Sequence, residues 1–182
     1  MKVVFLDRDG VINKYPGDTR YVTRWEEFEF IPGSIEAIAK FNEKGFKVFI
    51  ISNQAGVGKG LYSEKQLNRI TKNMVKIMKR RNAEVTGIYY CIHHPQDNCS
   101  CRKPKTGLLV RALKDFGLRP TVSFFIGDSM VDVETAKNFG IKSVLLLSGK
   151  EKISHQQKWP FKPDYIFDNL LIASYYLCSH YE

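Results

Sequence analysis

The chain has 182 residues, 43% of them hydrophobic, and a formal net charge of +9. That is enough chain for one domain, residues 1–182, with a real core, and no apolar run reaches the length of a membrane span. The charge favours anionic partners such as phosphorylated metabolites or nucleic acid, but Lys and Arg are dispersed along the chain, as on an ordinary solvated surface.

Residues 3–6 form a short apolar run, rich in β-branched and aromatic side chains, that predicts a buried strand. Asp7 and Asp9 follow at its carboxyl end. Alternate residues of an extended chain point to one side, so both carboxylates can face one site, and Gly10 allows a sharp turn. Two carboxylates held that close need a cation or a raised pKa. Residues 13–24 form a polar loop with Pro16 and Gly17, placed to fold over the site as a substrate flap carrying Asn13 and Tyr21. A helix starts at Pro32-Gly33-Ser34 and stops at Gly45. A second strand, 46–51, runs into Ser52-Asn53-Gln54 and a glycine-rich turn that can offer donors to a phosphate. The turn is not a P-loop, because Asn53 replaces the first Gly and Gly60 follows Lys59. Ser63-Glu64-Lys65-Gln66 predicts a capping box, followed by a helix with Leu67, Ile70, Met74, Ile77 and Met78 on its apolar face.

The third strand, 87–92, leads into Cys91-Ile92-His93-His94-Pro95-Gln96-Asp97-Asn98-Cys99-Ser100-Cys101. Cys91 and His93 form one pair and Cys99 and Cys101 another. Three thiolates and one imidazole make a closed tetrahedral zinc site with a structural role, His94 being the spare histidine. The pinned loop delivers Arg102 and Lys103, a fork and a compact charge suited to anionic oxygens. A helix over 105–116 is predicted to bury Leu108, Leu109, Ala112, Leu113 and Phe116. The strand at 122–126 ends in Gly127-Asp128, with Asp132 one turn into the next helix. A fifth strand at 143–147, an irregular connection over 149–162, a short strand near 163–167 and a helix near 169–179 complete a Rossmann-like, doubly wound parallel α/β sheet.

Asp7-x-Asp9-Gly10-Val11, Ser52-Asn53-Gln54, Arg102-Lys103-Pro104 and Gly127-Asp128-Ser129-x-x-Asp132 each fall at or just after an apolar run. In this order the set resembles the haloacid dehalogenase (HAD) phosphatase superfamily over residues 1–148, without a large cap domain. The resemblance implies Mg²⁺-dependent hydrolysis of a phosphomonoester through an aspartyl-phosphate. Asp7 corresponds to the nucleophile and Asp9 to the general acid and base. Asp7, the main-chain carbonyl of Asp9 and Asp128 correspond to the Mg²⁺ ligands, with Asp132 ordering a metal-bound water or Lys103. Ser52 and Lys103 match the residues that hold the transferring phosphoryl group.

The zinc run at 91–101 is similar to that of two related groups, the heptose bisphosphate phosphatases of lipopolysaccharide precursor synthesis and the histidinol-phosphatases. Tyr21-Val22, Glu27-Phe28-Glu29-Phe30 and Pro32-Gly33 resemble the heptose group, in which Arg102 would recognise a second phosphate. Ser129 stands where some of those enzymes carry Lys. Capless HAD domains that act on DNA 3′-phosphate ends are the alternative of another class, for which the only clustered basic run is 76–81. The reading implies a cytoplasmic, monomeric enzyme with a phosphorylated sugar substrate and no membrane partner.

Overall fold

A computed structural model of the chain describes residues 1–181. Its centre is a six-stranded, all-parallel sheet in the order β3-β2-β1-β4-β5-β6. The strands are β1 (Lys2–Leu6), β2 (Phe46–Asn53), β3 (Gly87–Cys91), β4 (Val122–Gly127), β5 (Lys142–Leu146) and β6 (Tyr165–Phe167). Between them lie α1 (Ser34–Glu43), the single turn α2 (Ala55–Gly58), α3 (Glu64–Lys79), α4 (Gly107–Asp115) and α5 (Met130–Phe139), with α6 (Leu170–His180) closing the chain.

The apolar run of β1 is continuous because both faces of the strand are covered, as a parallel sheet requires. Val3, Val4, Phe5 and Leu6 are all fully buried. Val4 and Leu6 join a core with residues of α1, α3 and α6, whereas Val3 and Phe5 join a second core with residues of α4 and α5. Helices therefore cover both faces, the doubly wound arrangement predicted from the alternation of elements.

The strand order reverses between β1 and β4, which are direct neighbours. Open α/β sheets bind ligands at such a switch point, beyond the carboxyl ends of the strands. Leu6 pairs with Ile50 on one side and Ile126 on the other. Asp7, Ser52 and Asp128 thus all emerge within two residues of one row.

Local signals hold for most elements. Ser63 and Gln66 make the reciprocal capping box that starts α3. Gly33, Gly45 and Gly140 take positive φ at helix ends, where a side chain would be strained. Two expectations need correction. Phe116 lies beyond the end of α4 and is 45% exposed, touching Phe49 edge-on. The connection at 149–162 is not wholly irregular, since Ile153–Lys158 form a 3₁₀ helix. Among the described residues, no helix is long and apolar enough to cross a membrane.

Candidate active site

Asp7, Lys103, Asp128 and Asp132 converge at the switch point. The Lys103 ammonium, almost wholly buried, lies 3.0 Å from Asp7 Oδ2 and 2.5 Å from Asp132 Oδ1. Oxygens of Asp7, Asp128 and Asp132 come within 4.8 Å of one another. The backbone is shaped around Asp128. A Cβ on either Gly10 or Gly149 would fall 2.0 Å from its Oδ2, so only glycine fits at both places. Asp128 Oδ2 also accepts the Lys150 main-chain N–H at 2.7 Å. Asp132 is braced by the Ser129 hydroxyl at 2.6 Å, the start of α5.

Three carboxylates share one ammonium in this buried place. Burial, then Asp132 and Asp9, push Asp7 up to about 6, although Lys103 pulls the other way. Burial, then Asp132 and Asp7, raise Asp128 well above the carboxylate range. Burial alone would lower Lys103, but Asp132 and Asp7 outweigh it and keep the ammonium charged. The unbalanced negative charge and the hard oxygen donors fit a divalent cation.

Asp9 follows Asp7 but its carboxylate is caged. Arg8 donates from Nη2 to both oxygens at 3.0 Å, Asn13 Nδ2 to Oδ1 at 2.8 Å and Gln54 Nε2 to Oδ2 at 2.9 Å. Gln54 Nε2 also lies 3.1 Å from Ser52 Oγ, and Tyr62 donates to Gln54 Oε1 at 2.6 Å. Ser52, beside Asp7, favours the charged form of its carboxylate. Asn13 and Gln54, expected to contact substrate, are instead buried and bonded to Asp9. Arg8 was missed by sequence reasoning. It is fully buried, with a guanidinium between the Asp9 carboxylate and the Tyr90 ring. The available signal was a cation placed between two acids before a glycine turn.

The glycine-rich turn also differs from its expected role. Several of its N–H groups close its own turns, on Gln54, Ala55, Gly56 and Val57 carbonyls. Its glycines serve close packing: a Cβ on Gly56 would strike Tyr62, and one on Gly58 would fall 2.4 Å from the His94 nitrogen. Asn53 fixes the next loop instead, exchanging hydrogen bonds with the Lys103 main chain at 3.0 and 3.2 Å. The loop at 13–24 is joined to segments next to the site. Tyr21 accepts from Lys59 at 3.0 Å, and Asp18 pairs with Lys150 at 2.7 Å.

Cys91, His93, Cys99 and Cys101 form a second cluster that could hold a metal ion. Cys91 Sγ lies 3.5 Å from Cys99 Sγ, Cys101 Sγ 3.4 Å from Cys99 Sγ, and His93 Nδ1 3.2 Å from Cys101 Sγ. Zn–S bonds of about 2.3 Å imply tetrahedron edges of about 3.8 Å, so the donors are already gathered to nearly the right size. His94 stands apart, its Nδ1 accepting from the Gln96 N–H. Arg102, next to the cluster, leaves Nη1 buried without a protein partner.

Comparison with known proteins gives a consistent result. A family model described as HAD-hyrolase-like matches residues 100–173. The chain is 36% identical over 163 residues to the D-glycero-beta-D-manno-heptose-1,7-bisphosphate 7-phosphatase of Pasteurella multocida, covering 86% of this chain and 87% of the relative. It is 38% identical over 148 residues to the enzyme of the same name from Helicobacter pylori strain J99, covering 81% and 83%. Among solved structures, the D,D-heptose 1,7-bisphosphate phosphatase of B. bronchiseptica, complexed with magnesium and phosphate, superposes with a TM-score of 0.90 at 28% identity, covering 98% of this chain and 99% of that one.

Proposed function

Since the chain belongs to the HAD-like phosphatase family of the D-glycero-beta-D-manno-heptose-1,7-bisphosphate 7-phosphatases, we propose that it removes the 7-phosphate of D-glycero-D-manno-heptose 1,7-bisphosphate. The product would feed lipopolysaccharide precursor synthesis. The observation that carries this reading is the cluster of Asp7, Lys103 and Asp128 at the sheet's switch point.

In the reaction an Asp7 oxygen attacks phosphorus and the bond to the sugar oxygen breaks, leaving an aspartyl-phosphate. Asp9 gives the departing sugar oxygen its proton, then takes one from the water that attacks the aspartyl-phosphate. That second step releases inorganic phosphate and restores Asp7. Both Asp9 oxygens are occupied in the cage, so proton delivery requires the carboxyl to rotate away from Gln54 or Asn13. Lys103 and Ser52 steady the transferring phosphoryl oxygens, and Asp132 holds Lys103 in place. Asp7, Asp128 and the main-chain carbonyl of Asp9 would hold Mg²⁺, which when bound supplies charge neutralisation to the carboxylates and the phosphoryl group. Cys91, His93, Cys99 and Cys101 would hold Zn²⁺ in a structural role, pinning the loop that delivers Arg102 and Lys103. Arg102, with its unpartnered Nη1, is available to an anionic group of the substrate, and Tyr21 on the flap to its sugar. Free thiols gathered for a metal suit a reducing, cytoplasmic setting, and we place the enzyme there as a single-domain monomer.

Phosphate release from heptose 1,7-bisphosphate, histidinol phosphate and a 3′-phosphorylated oligonucleotide tests the substrate. The heptose should be the best of the three by kcat/KM. A preference for histidinol phosphate or for the oligonucleotide would overturn the assignment while leaving a phosphatase.

A further inference from the structure

The loop at 13–24 carries a carboxylate that belongs to neither metal cluster. Asp18 is exposed, yet its Oδ1 accepts from two groups at the rim of the active site, Lys150 Nζ at 2.7 Å and the Tyr15 hydroxyl at 2.6 Å. Lys150 is not an ordinary surface cation. Its own N–H binds Asp128 Oδ2 at 2.7 Å, and the preceding Gly149 lies against that carboxylate. Ser148, one residue earlier, donates to the Gly10 carbonyl at 2.7 Å. The segment 148–150 is therefore fixed to the site, while the Lys150 side chain reaches outward beneath the loop. Tyr15 is within the field of Asp128 and Asp9. Burial, the bond to Asp18 and those carboxylates hold its proton firmly, so it remains a donor.

We propose that Lys150 and the Tyr15 hydroxyl form the subsite for the phosphate that the reaction leaves on the substrate, and that Asp18 occupies this subsite as an internal stand-in when substrate is absent. The proposal rests on the bisphosphate reading above. Its physical basis is that a cation and a neutral donor converge on one anionic oxygen, and they do so at the mouth of a site whose substrate would carry a second dianion. Exposed ion pairs contribute little net stability, so the Asp18 contact is easily exchanged. A phosphate offers more charge and more acceptor oxygens to the same two donors.

Steady-state kinetics on heptose 1,7-bisphosphate and on p-nitrophenyl phosphate, which has no second phosphate, test this with K150M, K150R and D18N. K150M should raise KM for the bisphosphate about tenfold more than for the monoester, the scale expected of a lost charge-assisted contact, and K150R should recover most of that loss. D18N should lower KM for the bisphosphate about threefold relative to the monoester, because an exposed competing pair has been removed. Equal changes on both substrates, or a D18N enzyme weakened toward the bisphosphate, would make the Asp18–Lys150 contact a loop strap and overturn the proposal. If the native enzyme does not hydrolyse heptose bisphosphate, the substrate reading fails by itself. The subsite is then read from inhibition of p-nitrophenyl phosphate turnover by glucose 1,6-bisphosphate against glucose 6-phosphate. A preference for the bisphosphate that K150M abolishes sustains the subsite, and no preference overturns it.

Discussion

Replacing Asp7 by Asn should abolish turnover and, in the absence of magnesium, stabilise the fold. Asp7 carries its proton more tightly in the folded chain, at about 6, than its ordinary value of 3.8, chiefly because it is buried. A group of this kind favours the folded state at low pH, and that advantage is lost as pH rises from 3.8 through about 6. A difference of about two pH units, at about 1.4 kcal/mol each, amounts to about 3 kcal/mol lost by pH 7. Asn keeps the shape and has no charge to bury, so the variant avoids the loss. In a chain of this size 1 kcal/mol moves Tm by about 2–4 °C, so D7N should melt about 6–12 °C above the native protein at pH 7.5. Thermal melts between pH 5 and 8, in magnesium-free buffer with zinc retained, give the measurement. The gap should widen with pH, and added magnesium should raise the native Tm more than that of D7N. A variant that melts at or below the native protein at pH 7.5, or a gap that ignores pH, would refute the account of a charge-crowded site.

Three further outcomes follow from the geometry. Gly149→Ala puts a methyl 2.0 Å from Asp128 Oδ2, so magnesium activation should weaken about 10–100-fold, read from a metal titration of activity, with zinc content unchanged. Metal analysis should find about one zinc per chain that survives EDTA treatment sufficient to strip magnesium, and a strong zinc chelator should lower Tm and activity together by freeing the 91–101 loop. Ser63→Ala removes one half of the capping box on α3 and should cost about 1 kcal/mol in denaturant unfolding with kcat unaffected.

Much of this molecule was legible in the order of its residues because the site is built at strand ends. An apolar run that stops at an acid announces both the strand and the side of the sheet where the acid lies, so Asp7 and Asp128 could be placed together before any coordinates. The thiols and His93 were legible from spacing, since their loop is short and local. What stayed hidden depended on neighbours distant in sequence. Asn13 and Gln54 look like substrate contacts because they follow the right strands, but only the fold shows Asp9 using up their donors. Arg8 is charged and fully buried; its place between two acids gives the only local hint, and its burial against Tyr90 depends on the fold. Gly149 and Lys150 looked like connection, and their contact with Asp128 spans 22 residues or nearly so. Phe116 continued the apolar face of α4 on paper, yet the helix ends at Asp115 and the ring, one edge against Phe49, stays 45% exposed.

The innermost position of β1 has a consequence for how the protein breathes. Its amides are bonded between β2 and β4, and Val3–Leu6 are sealed on both sides. Hydrogen exchange there should proceed only through global opening, whereas the 14–24 and 152–162 segments, outside the sheet, can fluctuate alone. Asp7 is thus attached to what should be the slowest-exchanging part of the chain, and the loops around it to faster-exchanging ones. Under the proposed function, the loops can change which alcohol is accepted without loosening the strand that carries Asp7.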